Sequence, residues 1–270
     1  FIFFFLLFLY RCLAVGYVFV YSGCSDEKYQ PNATYEANLN SLLSGVAVSS
    51  SRTLYNAFAV GNDTSDVTGS ACYGLFQCRS DLRARDCYAC IAAVVAQVGL
   101  LCPYTVGAAV QLDGCFLRYE KTDFIGKLDT GLRYQKCSQS ASNDADFSRK
   151  RDEVLADLLA AEGFKVSAAA AVEGYSQCLG DLSAQDCSSC LAEAVAEVKS
   201  FCGSAAAGDV FLSQCYARYW EAGYYGPSTS SSLNSSGQDY TGRTVAIIIG
   251  VVAGTAVLVV LLAICKKALH

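Results

Sequence analysis

The sequence carries one cysteine pattern twice, at a constant offset of 100 residues. The first copy consists of Cys78, Cys87, Cys90, Cys102 and Cys115, and the second of Cys178, Cys187, Cys190, Cys202 and Cys215. Each copy has the spacing C-x8-C-x2-C-x11-C-x12-C. Because chance does not place ten cysteines in one register, the pattern indicates a duplicated module. It predicts two domains of about 110 residues each.

The spacing favours structural disulfides. Cys24 and Cys137 precede the two copies and complete a set of six cysteines in each module. A Cys-x-x-Cys pair also occurs in redox dithiols and zinc sites. However, a redox site does not require four further cysteines in register, and all-thiolate zinc ligation does not suit an oxidising compartment. Six cysteines allow fifteen pairings, so spacing alone leaves the connectivity open.

Three cysteines lie outside both sets: Cys12 and Cys265 lie in the apolar ends of the chain, and Cys72 lies within the first module. It has no counterpart in the second module, where Val172 stands. Two interpretations remain open: a buried free thiol on a strand, or a partner in an intermolecular disulfide.

Both ends of the chain are apolar, for different reasons. Residues 1–16 begin with nine apolar residues that suit the hydrophobic region of a signal peptide, with the start Met missing; a buried N-terminal strand is the alternative. Residues 245–265 form an uncharged run of 21 residues, and a lysine pair follows them. This length suits one transmembrane helix. The lysines mark a cytoplasmic tail, 266–270, so the pattern predicts a type I membrane protein.

Between the two ends, the sequence divides into the modules and a stalk. The first module is assigned to residues 17–121 and the second to residues 122–225. The short polar segment Ser138–Asp146 is expected to link the lobes. Residues 226–244 are rich in Ser, Gly, Thr and Asn, which predicts a flexible stalk.

Hydrophobic periodicity predicts the order of elements in the first module. Aromatic and β-branched residues predict a strand at Tyr17–Tyr21, and apolar spacing predicts a helix around Leu39–Val46. A second strand is expected at Tyr73–Cys78. Asp86 is then expected to cap a second helix, and Asp113-Gly114 to form the turn of a hairpin.

The second module repeats this order. It has a strand at Leu132–Cys137, a helix that begins near Phe147 and is expected to stop at Gly163, and a strand at Gly174–Cys178. A helix capped by Asp186 and a second hairpin follow. The order predicts an α+β fold in which each lobe is an antiparallel sheet with two helices on one face. One transmembrane helix follows the lobes.

Charge and histidine content argue against several functions. The net charge is −5 and no basic stripe is visible, so a nucleic-acid partner is not expected. The only histidine is His270, which leaves no nucleophile–histidine pair in the modules. Because the sequence also has no zinc motif and no glycine-rich phosphate loop, it predicts a non-enzymatic protein without metal or cofactor.

Three Asn-x-Ser/Thr sequons predict glycosylation. They begin at Asn32, Asn62 and Asn234. Such motifs act as acceptors in the surface loops of secreted chains.

The predicted membrane helix carries small residues at intervals of four. Ala246, Gly250 and Gly254 would lie on one face of the helix and permit close packing in a homo-oligomer. General enrichment of Gly and Ala in transmembrane helices is the alternative explanation.

The tandem C-x8-C-x2-C core resembles the plant cysteine-rich module of the ginkgobilobin (salt-stress-response, antifungal) type. Two such modules with a stalk, one membrane helix and a very short tail resemble the plasmodesmata-located proteins. The resemblance implies the pairs Cys24–Cys102, Cys78–Cys87, Cys90–Cys115, Cys137–Cys202, Cys178–Cys187 and Cys190–Cys215.

The resemblance implies a regulator of cell-to-cell trafficking in the plasma membrane at plasmodesmata. The resemblance also implies roles in callose deposition, in defence and in the docking of viral movement proteins. Cell-wall glycans or receptor-like proteins would be the extracellular partners. Two alternatives remain open: a membrane-tethered carbohydrate-binding or antifungal module, and the ectodomain of a truncated cysteine-rich receptor-like kinase.

Some single-module relatives bind mannose through an Asn, an Arg and a Glu. By resemblance these positions correspond to Ser25, Ala109 and Glu120 in the first module, and to Ser138, Asp209 and Trp220 in the second. Only Glu120 keeps the residue type, which argues against mannose binding there. Tyr219 and Trp220 are expected either to stack on a sugar ring or to belong to the core.

Overall fold

In the computed structural model, residues 17–62 and 69–225 are described. They form two lobes, each with a five-stranded antiparallel sheet and two helices. The first lobe comprises β1 (Phe19–Cys24), α1 (Thr34–Ser49), β2 (Tyr55–Val60), β3 (Cys72–Cys78), α2 (Ala84–Leu101), β4 (Gly107–Leu112) and β5 (Cys115–Glu120). The second lobe comprises β6 (Leu132–Cys137), α3 (Phe147–Leu158), β7 (Phe164–Ala169), β8 (Val172–Cys178), α4 (Ala184–Cys202), β9 (Ala207–Leu212) and β10 (Cys215–Glu221).

The two sheets have the same strand order, as expected for a duplicated sequence. The first runs β1-β4-β5-β3-β2 and the second β6-β9-β10-β8-β7. The central strands pair in the same register in both, with Cys78 opposite Cys115 and Cys178 opposite Cys215. The predicted α+β fold of two lobes is confirmed.

Each sheet contains one more strand than the sequence predicted. β2 and β7 form one edge of each sheet, beside β3 and β8. Their sequences, YNAFAV and FKVSAA, are rich in alanine and only partly buried, so their strand signal is weak. β1 also begins two residues later than predicted and continues to Cys24, because its pairing with β4 extends to Ala108.

The predicted positions of the helix caps were wrong. α2 begins at Ala84 and α4 at Ala184, so Asp86 and Asp186 lie in the first helical turn. The cap of α4 is Ser183, whose hydroxyl oxygen accepts a hydrogen bond from the Asp186 backbone N–H and donates one to the Asp186 carboxylate. The aspartates still stabilise the helices, because a negative charge in the first turn complements the helix dipole.

Two further boundaries differ from the prediction. α3 ends at Leu158, and Gly163, with a φ of 98°, lies in the turn that leads into β7. Ser138–Asp146 does not link the lobes, because it lies inside the second lobe between β6, which pairs with β9, and α3. The connection between the two sheets is residues 121–131.

The helices of each lobe cover one face of its sheet and enclose an apolar core. In the first lobe, Leu42 and Val46 of α1 and Ile91 and Val94 of α2 are fully buried. The fully buried helix residues of the second core are Val154, Leu155, Leu158, Cys190, Leu191, Ala194 and Val198. The apolar positions that predicted these helices are therefore the positions that form the cores.

A glycine in the middle of a strand lets one helix lie close to each sheet. A Cβ atom at Gly74 of β3 would lie 2.8 Å from Leu42 Cδ2 of α1. At Gly174 of β8 it would lie 3.0 Å from Val154 Cγ1 of α3, and only 2.6 Å from the Arg218 carbonyl oxygen of the neighbouring strand β10. A larger residue at either position would have to displace its neighbours.

Six disulfides connect these elements. They join Cys24 to Cys102, Cys78 to Cys87, Cys90 to Cys115, Cys137 to Cys202, Cys178 to Cys187 and Cys190 to Cys215. These are the pairs that the resemblance implies. In each lobe one bond ties the edge strand to the end of the long helix, and two tie the start of that helix to the central strands.

Among the described residues, one helix is long and apolar enough to cross a membrane, namely α2. Its Cys87 and Cys90 are bonded to strands of the first lobe, and Ile91 is buried in the core. α2 is therefore a core helix. The predicted signal peptide, stalk and membrane span lie outside the described residues, as do Ala246, Gly250 and Gly254.

Candidate functional site

The two lobes pack against each other through sheet faces that their helices do not cover. Leu75 and Phe116 alternate along their strands with residues of the first core, because successive side chains of a strand point to opposite faces. They form a separate apolar cluster with Tyr21 and with Phe211 of the second lobe. Tyr21 stacks on Tyr134, with ring centroids 6.1 Å apart. Each sheet is therefore covered by its own helices on one face and packs in part against the other lobe on the opposite face.

Reciprocal hydrogen bonds cross the contact between the lobes. Gly180 N–H donates to Gln77 Oε1 at 3.0 Å, and Gln177 Nε2 donates to the Cys78 carbonyl oxygen at 3.0 Å. A Cβ atom at Gly180 would lie 2.8 Å from the Tyr55 ring, so the second-lobe backbone lies directly against that ring. Gln77 and Gln177 stand 100 residues apart and both bridge the lobes, Gln77 as an acceptor and Gln177 as a donor. Both copies therefore contribute a glutamine at the same position to the contact between the lobes.

One part of the lobe contact holds a cluster of charged groups. Arg218 Nε donates to Asp209 Oδ1 at 2.7 Å within the second lobe, and its Nη1 donates to the Asp113 carboxylate of the first lobe and to the Tyr175 hydroxyl. Arg79 Nη1 lies 3.3 Å from the same Asp113 carboxylate. The Arg218 and Asp209 side chains are 10% and 11% exposed, whereas the Asp113 side chain is 38% exposed.

The ion pairs with Arg218 and Arg79 determine the pKa of Asp113. Burial by itself would raise the pKa of Asp113, but Arg218 and Arg79 outweigh burial and hold the pKa of this carboxyl below its ordinary value. A carboxylate whose pKa is lower in the folded than in the unfolded protein stabilises the fold at pH values above its unfolded pKa. This stabilisation is lost as the pH falls through the folded pKa. The Asp113 ion pairs are therefore intact at mildly acidic and at neutral pH.

A cleft of about 540 Å³ brings together the three first-module positions that correspond to the mannose site of relatives. Ser25, Ala109 and Glu120 all line it. Arg118 forms one wall, where its Nε donates to Glu120 Oε1 at 2.8 Å and its guanidinium lies 4.2 Å from the centroid of the Phe124 ring. With Ala109 in place of an arginine, the cleft keeps space that a longer side chain would fill.

The cleft also contains residues of the second lobe and has charges of both signs. Arg133 and Ser213 line it, and Arg133 Nε donates to the Ser213 hydroxyl oxygen at 2.7 Å. Lys121 Nζ lies 2.9 Å from Glu27 Oε1, and both residues line the cleft. Because opposite charges are paired, the cleft presents hydrogen-bonding groups and little net charge. This chemistry suits a neutral, hydroxyl-rich ligand.

The second-lobe residues that correspond to the mannose-site positions have structural roles. Asp209 is bonded to Arg218, and Trp220 Nε1 donates to Glu173 Oε2 at 3.1 Å. Tyr219 is completely buried, so it belongs to the core and does not stack on a sugar. No local sequence pattern predicted the ion pair between Arg218 and Asp113, although Arg118 and Arg218 recur at equivalent positions in the two copies.

Cys72 is a buried free thiol. It is completely inaccessible, and its Sγ lies 3.5 Å from the Tyr35 hydroxyl oxygen. Burial raises the pKa of the Cys72 thiol to about 11, although the contact with Tyr35 lowers it in part. A protonated, buried thiol does not exchange disulfides readily, so the structure favours this interpretation over an intermolecular partner.

Two of the three predicted glycosylation sites lie on the described surface. Asn32 and Asn62 are exposed, Asn32 shortly before α1 and Asn62 just after β2. Asn234 lies outside the described residues. Glycosylation of all three stays a prediction.

Comparisons with known proteins identify relatives along almost the whole chain. The family model described as "Salt stress response/antifungal" matches residues 23–122 and 135–222. Plasmodesmata-located protein 8 of Arabidopsis thaliana is 53% identical over 258 residues, which cover 94% of this chain and 91% of that protein. Plasmodesmata-located protein 6 of the same plant is 40% identical over 255 residues, 92% of this chain and 88% of that protein.

A solved structure has the same architecture. It is the tandem DUF26 ectodomain of the Arabidopsis thaliana cysteine-rich receptor-like protein PDLP8. The match has 55% sequence identity and a TM-score of 0.73, and it covers 77% of this chain and all of that one.

Proposed function

Because this chain belongs to the plasmodesmata-located proteins and carries the salt stress response/antifungal module twice, we propose that it regulates cell-to-cell traffic at plasmodesmata. One observation carries this proposal: the 53% identity to plasmodesmata-located protein 8 over 94% of the chain. A match of this extent includes both lobes and their cysteines, not an isolated module.

The proposed mechanism is that of a non-enzymatic recognition scaffold. Six disulfides and the sheet-to-sheet contact hold the two lobes as one body, which can present a fixed surface to cell-wall glycans or receptor-like proteins. Residues 245–265 would anchor the protein in the plasma membrane with both modules outside the cell. Effects on callose deposition and defence, and docking of viral movement proteins, belong to the same proposal.

A fluorescent fusion of the full chain tests this function in plant cells. We expect puncta along shared cell walls, and we expect higher expression to reduce the movement of a cytosolic fluorescent marker into neighbouring cells. A fusion without residues 245–265 is the control and should lose the puncta. A uniform plasma-membrane signal, or marker movement that does not respond to expression, would count against the proposal.

Carbohydrate binding is a second candidate function, and the cleft around Glu120 favours it. A glycan array probed with the purified full chain in detergent tests it. If the cleft binds sugar, Glu120→Ala should lower the signal at least tenfold, because it removes the only residue that keeps the relatives' type. Glu193→Ala, an exposed change on α4, is the control and should leave the signal unchanged. Absence of binding by the unmodified chain would reject this candidate.

A further inference from the structure

The cleft around Glu120 is the counterpart, in the first lobe, of the charged cluster at the lobe contact. Arg118 in the cleft and Arg218 in the cluster stand 100 residues apart. Arg118 lies opposite Ala109 on the neighbouring strand, and Arg218 lies opposite Asp209 in the same register. The two arginines therefore have equivalent places in their sheets, and the side chains around them make the difference.

The guanidinium of Arg218 is bonded to carboxylates on two sides. Its Nε and Nη2 donate to Asp209 at 2.7 and 3.3 Å, and its Nη1 donates to Asp113 of the other lobe. Arg79 lies beside the same Asp113 carboxylate and also binds Asp81. Within the described residues, two arginines of this cluster thus hold three carboxylates.

The guanidinium of Arg118 is bonded to a carboxylate on one side only. Its Nε donates to Glu120 Oε1 at 2.8 Å, and its Nη2 lies 2.5 Å from the same oxygen and 3.8 Å from Asp129 Oδ2. Its Nη1 has no hydrogen-bond partner in the part of the chain that the structure describes. Ser213 stands at the position equivalent to Asp113, so the second lobe offers no carboxylate to Nη1.

Arg133 gives the cleft a second guanidinium. Its Nη2 lies 3.0 Å from Asp129 Oδ2, the oxygen that Arg118 Nη2 also approaches. Its Nη1, like that of Arg118, has no hydrogen-bond partner among the described residues. The other basic residue that lines the cleft, Lys121, is paired with Glu27. Counting described residues, the two arginines of the cleft hold two carboxylates, one fewer than the two arginines of the related cluster.

Arg118 is fixed in the cleft wall, and its Nη1 is accessible. The side chain is 10% exposed, and the guanidinium lies 4.2 Å from the centroid of the Phe124 ring. A nearly buried donor without a partner destabilises a protein, because it has lost most of its hydration and gained no hydrogen bond. Nη1 is not fully enclosed by protein atoms, so an acceptor in the cleft can reach it and supply that bond.

The rest of the cleft suits a sugar. Ser22, Ser25 and Thr122 line it with hydroxyl groups, which can both donate to and accept from sugar hydroxyls. Its volume of about 540 Å³ lies within the range of small-molecule sites, about 300–1,000 Å³.

We propose that the cleft binds a sugar that carries a carboxylate, a uronic acid, and that this carboxylate bonds to Arg118 Nη1 beside Arg133. Arginine is well suited to a carboxylate, because its N–H groups are charged and fixed in one plane. The proposal refines the neutral, hydroxyl-rich ligand that the paired charges suit: the hydroxyl groups stay and one carboxylate is added. It rests on the second candidate function, carbohydrate binding in the cleft, and is independent of the proposed role at plasmodesmata.

Calorimetric titration of the purified full chain in detergent tests the proposal with three probes. They are a short oligomer of galacturonic acid, the methyl ester of the same oligomer, and a glutamate peptide of similar length. The acid oligomer should bind about tenfold or more tightly than its ester, because hydrogen bonds between charged groups are the stronger class. Added sodium chloride should weaken binding of the acid oligomer and leave that of the ester unchanged.

Ala109→Asp tests the site in a chain that keeps its fold. It places a carboxylate beside Arg118, an arrangement that Asp209 and Arg218 show to be compatible with the sheet. The preference for the acid oligomer over its ester should then be lost, because the new carboxylate repels the ligand's and competes for the arginine. Ala109→Asn fills the same space without the charge, so it should lower both affinities equally and keep the preference.

Arg118→Met should also abolish the preference for the acid oligomer. Arg149→Met is its matched control, since it removes one arginine from the exposed surface of α3, where the Arg149 side chain is 67% exposed. This control should bind both oligomers like the unmodified chain.

Three results would overturn the proposal, and they separate it from the function on which it rests. Equal affinity for the acid oligomer and its ester, or a preference that survives Ala109→Asp, would reject the carboxylate site and leave carbohydrate binding in place. Failure of both oligomers to bind would reject carbohydrate binding itself. Binding of the glutamate peptide alone would keep Arg118 as a carboxylate site but would assign it to a protein ligand.

Discussion

Replacing both Cys24 and Cys102 with alanine should lower the free energy of unfolding of the first lobe by about 4.5 kcal/mol. This disulfide closes 78 residues, and in the chain-entropy treatment a long loop restricts the unfolded chain more than a short one. The bond also holds the edge strand β1, which places Tyr21 in the contact between the lobes. Urea unfolding of the purified full chain in detergent, followed by tyrosine fluorescence, would measure the change.

The short disulfide of the same lobe is the matched control. Cys78 and Cys87 close only nine residues, so their replacement by alanine should cost about 2.6 kcal/mol. The order of the two losses is the sharper test, because errors in the absolute values affect both variants. An equal or smaller loss for the long disulfide would contradict the entropic account. Unchanged unfolding in dithiothreitol would mean that the disulfides do not stabilise the lobes.

Replacing Arg218 with methionine should destabilise the protein by about 3–5 kcal/mol, because it leaves the buried Asp209 carboxylate without its partner. The same change removes the bond from the second lobe to Asp113 of the first, so the lobes should also separate more easily. Urea unfolding gives the stability, and hydrogen exchange of the strands at the contact gives the effect on lobe packing.

Arg118→Met is the matched control, since Arg118 stands at the equivalent position of the first lobe. Its partners Glu120 and Asp129 are 33% and 37% exposed and can be hydrated when the arginine is lost, so the cost should be about 1–2 kcal/mol. Adding Asp209→Asn to Arg218→Met should recover part of the stability, because it removes the unpaired buried charge. Equal losses for the two arginines would show that the Arg218 cluster has no special role.

Local sequence patterns predicted most of the helices and strands, because the spacing of apolar residues reflects which face of a helix or strand is buried. The apolar spacing of Leu39–Val46 gave a helix, and Asp113-Gly114 gave a hairpin turn. The missed strands β2 and β7 lie at sheet edges, where partial burial and alanine-rich sequence leave little alternation. The polar composition of Ser138–Asp146 predicted a linker because polar residues indicate solvent exposure. Composition does not indicate that the preceding strand, β6, pairs within the second lobe.

The candidate sites could be predicted less completely. The cleft positions Ser25, Ala109 and Glu120 came from resemblance, but the contribution of Arg133 and Ser213 depends on how the second lobe packs.

The sequence by itself determined that the chain is a duplicated α+β module with two sets of six cysteines. Repeat spacing and periodicity are local properties, so they can be recognised without knowing which other residues each element contacts. Only the tertiary structure decided that the sheets pack on each other and that Arg218 bonds across to Asp113, whereas the equivalent Arg118 bonds to Glu120 and lines an open cleft. It also decided that the outer face of α2 stays exposed. The physical reason is that a pattern encodes which face is apolar, whereas what covers that face depends on residues about 100 positions away.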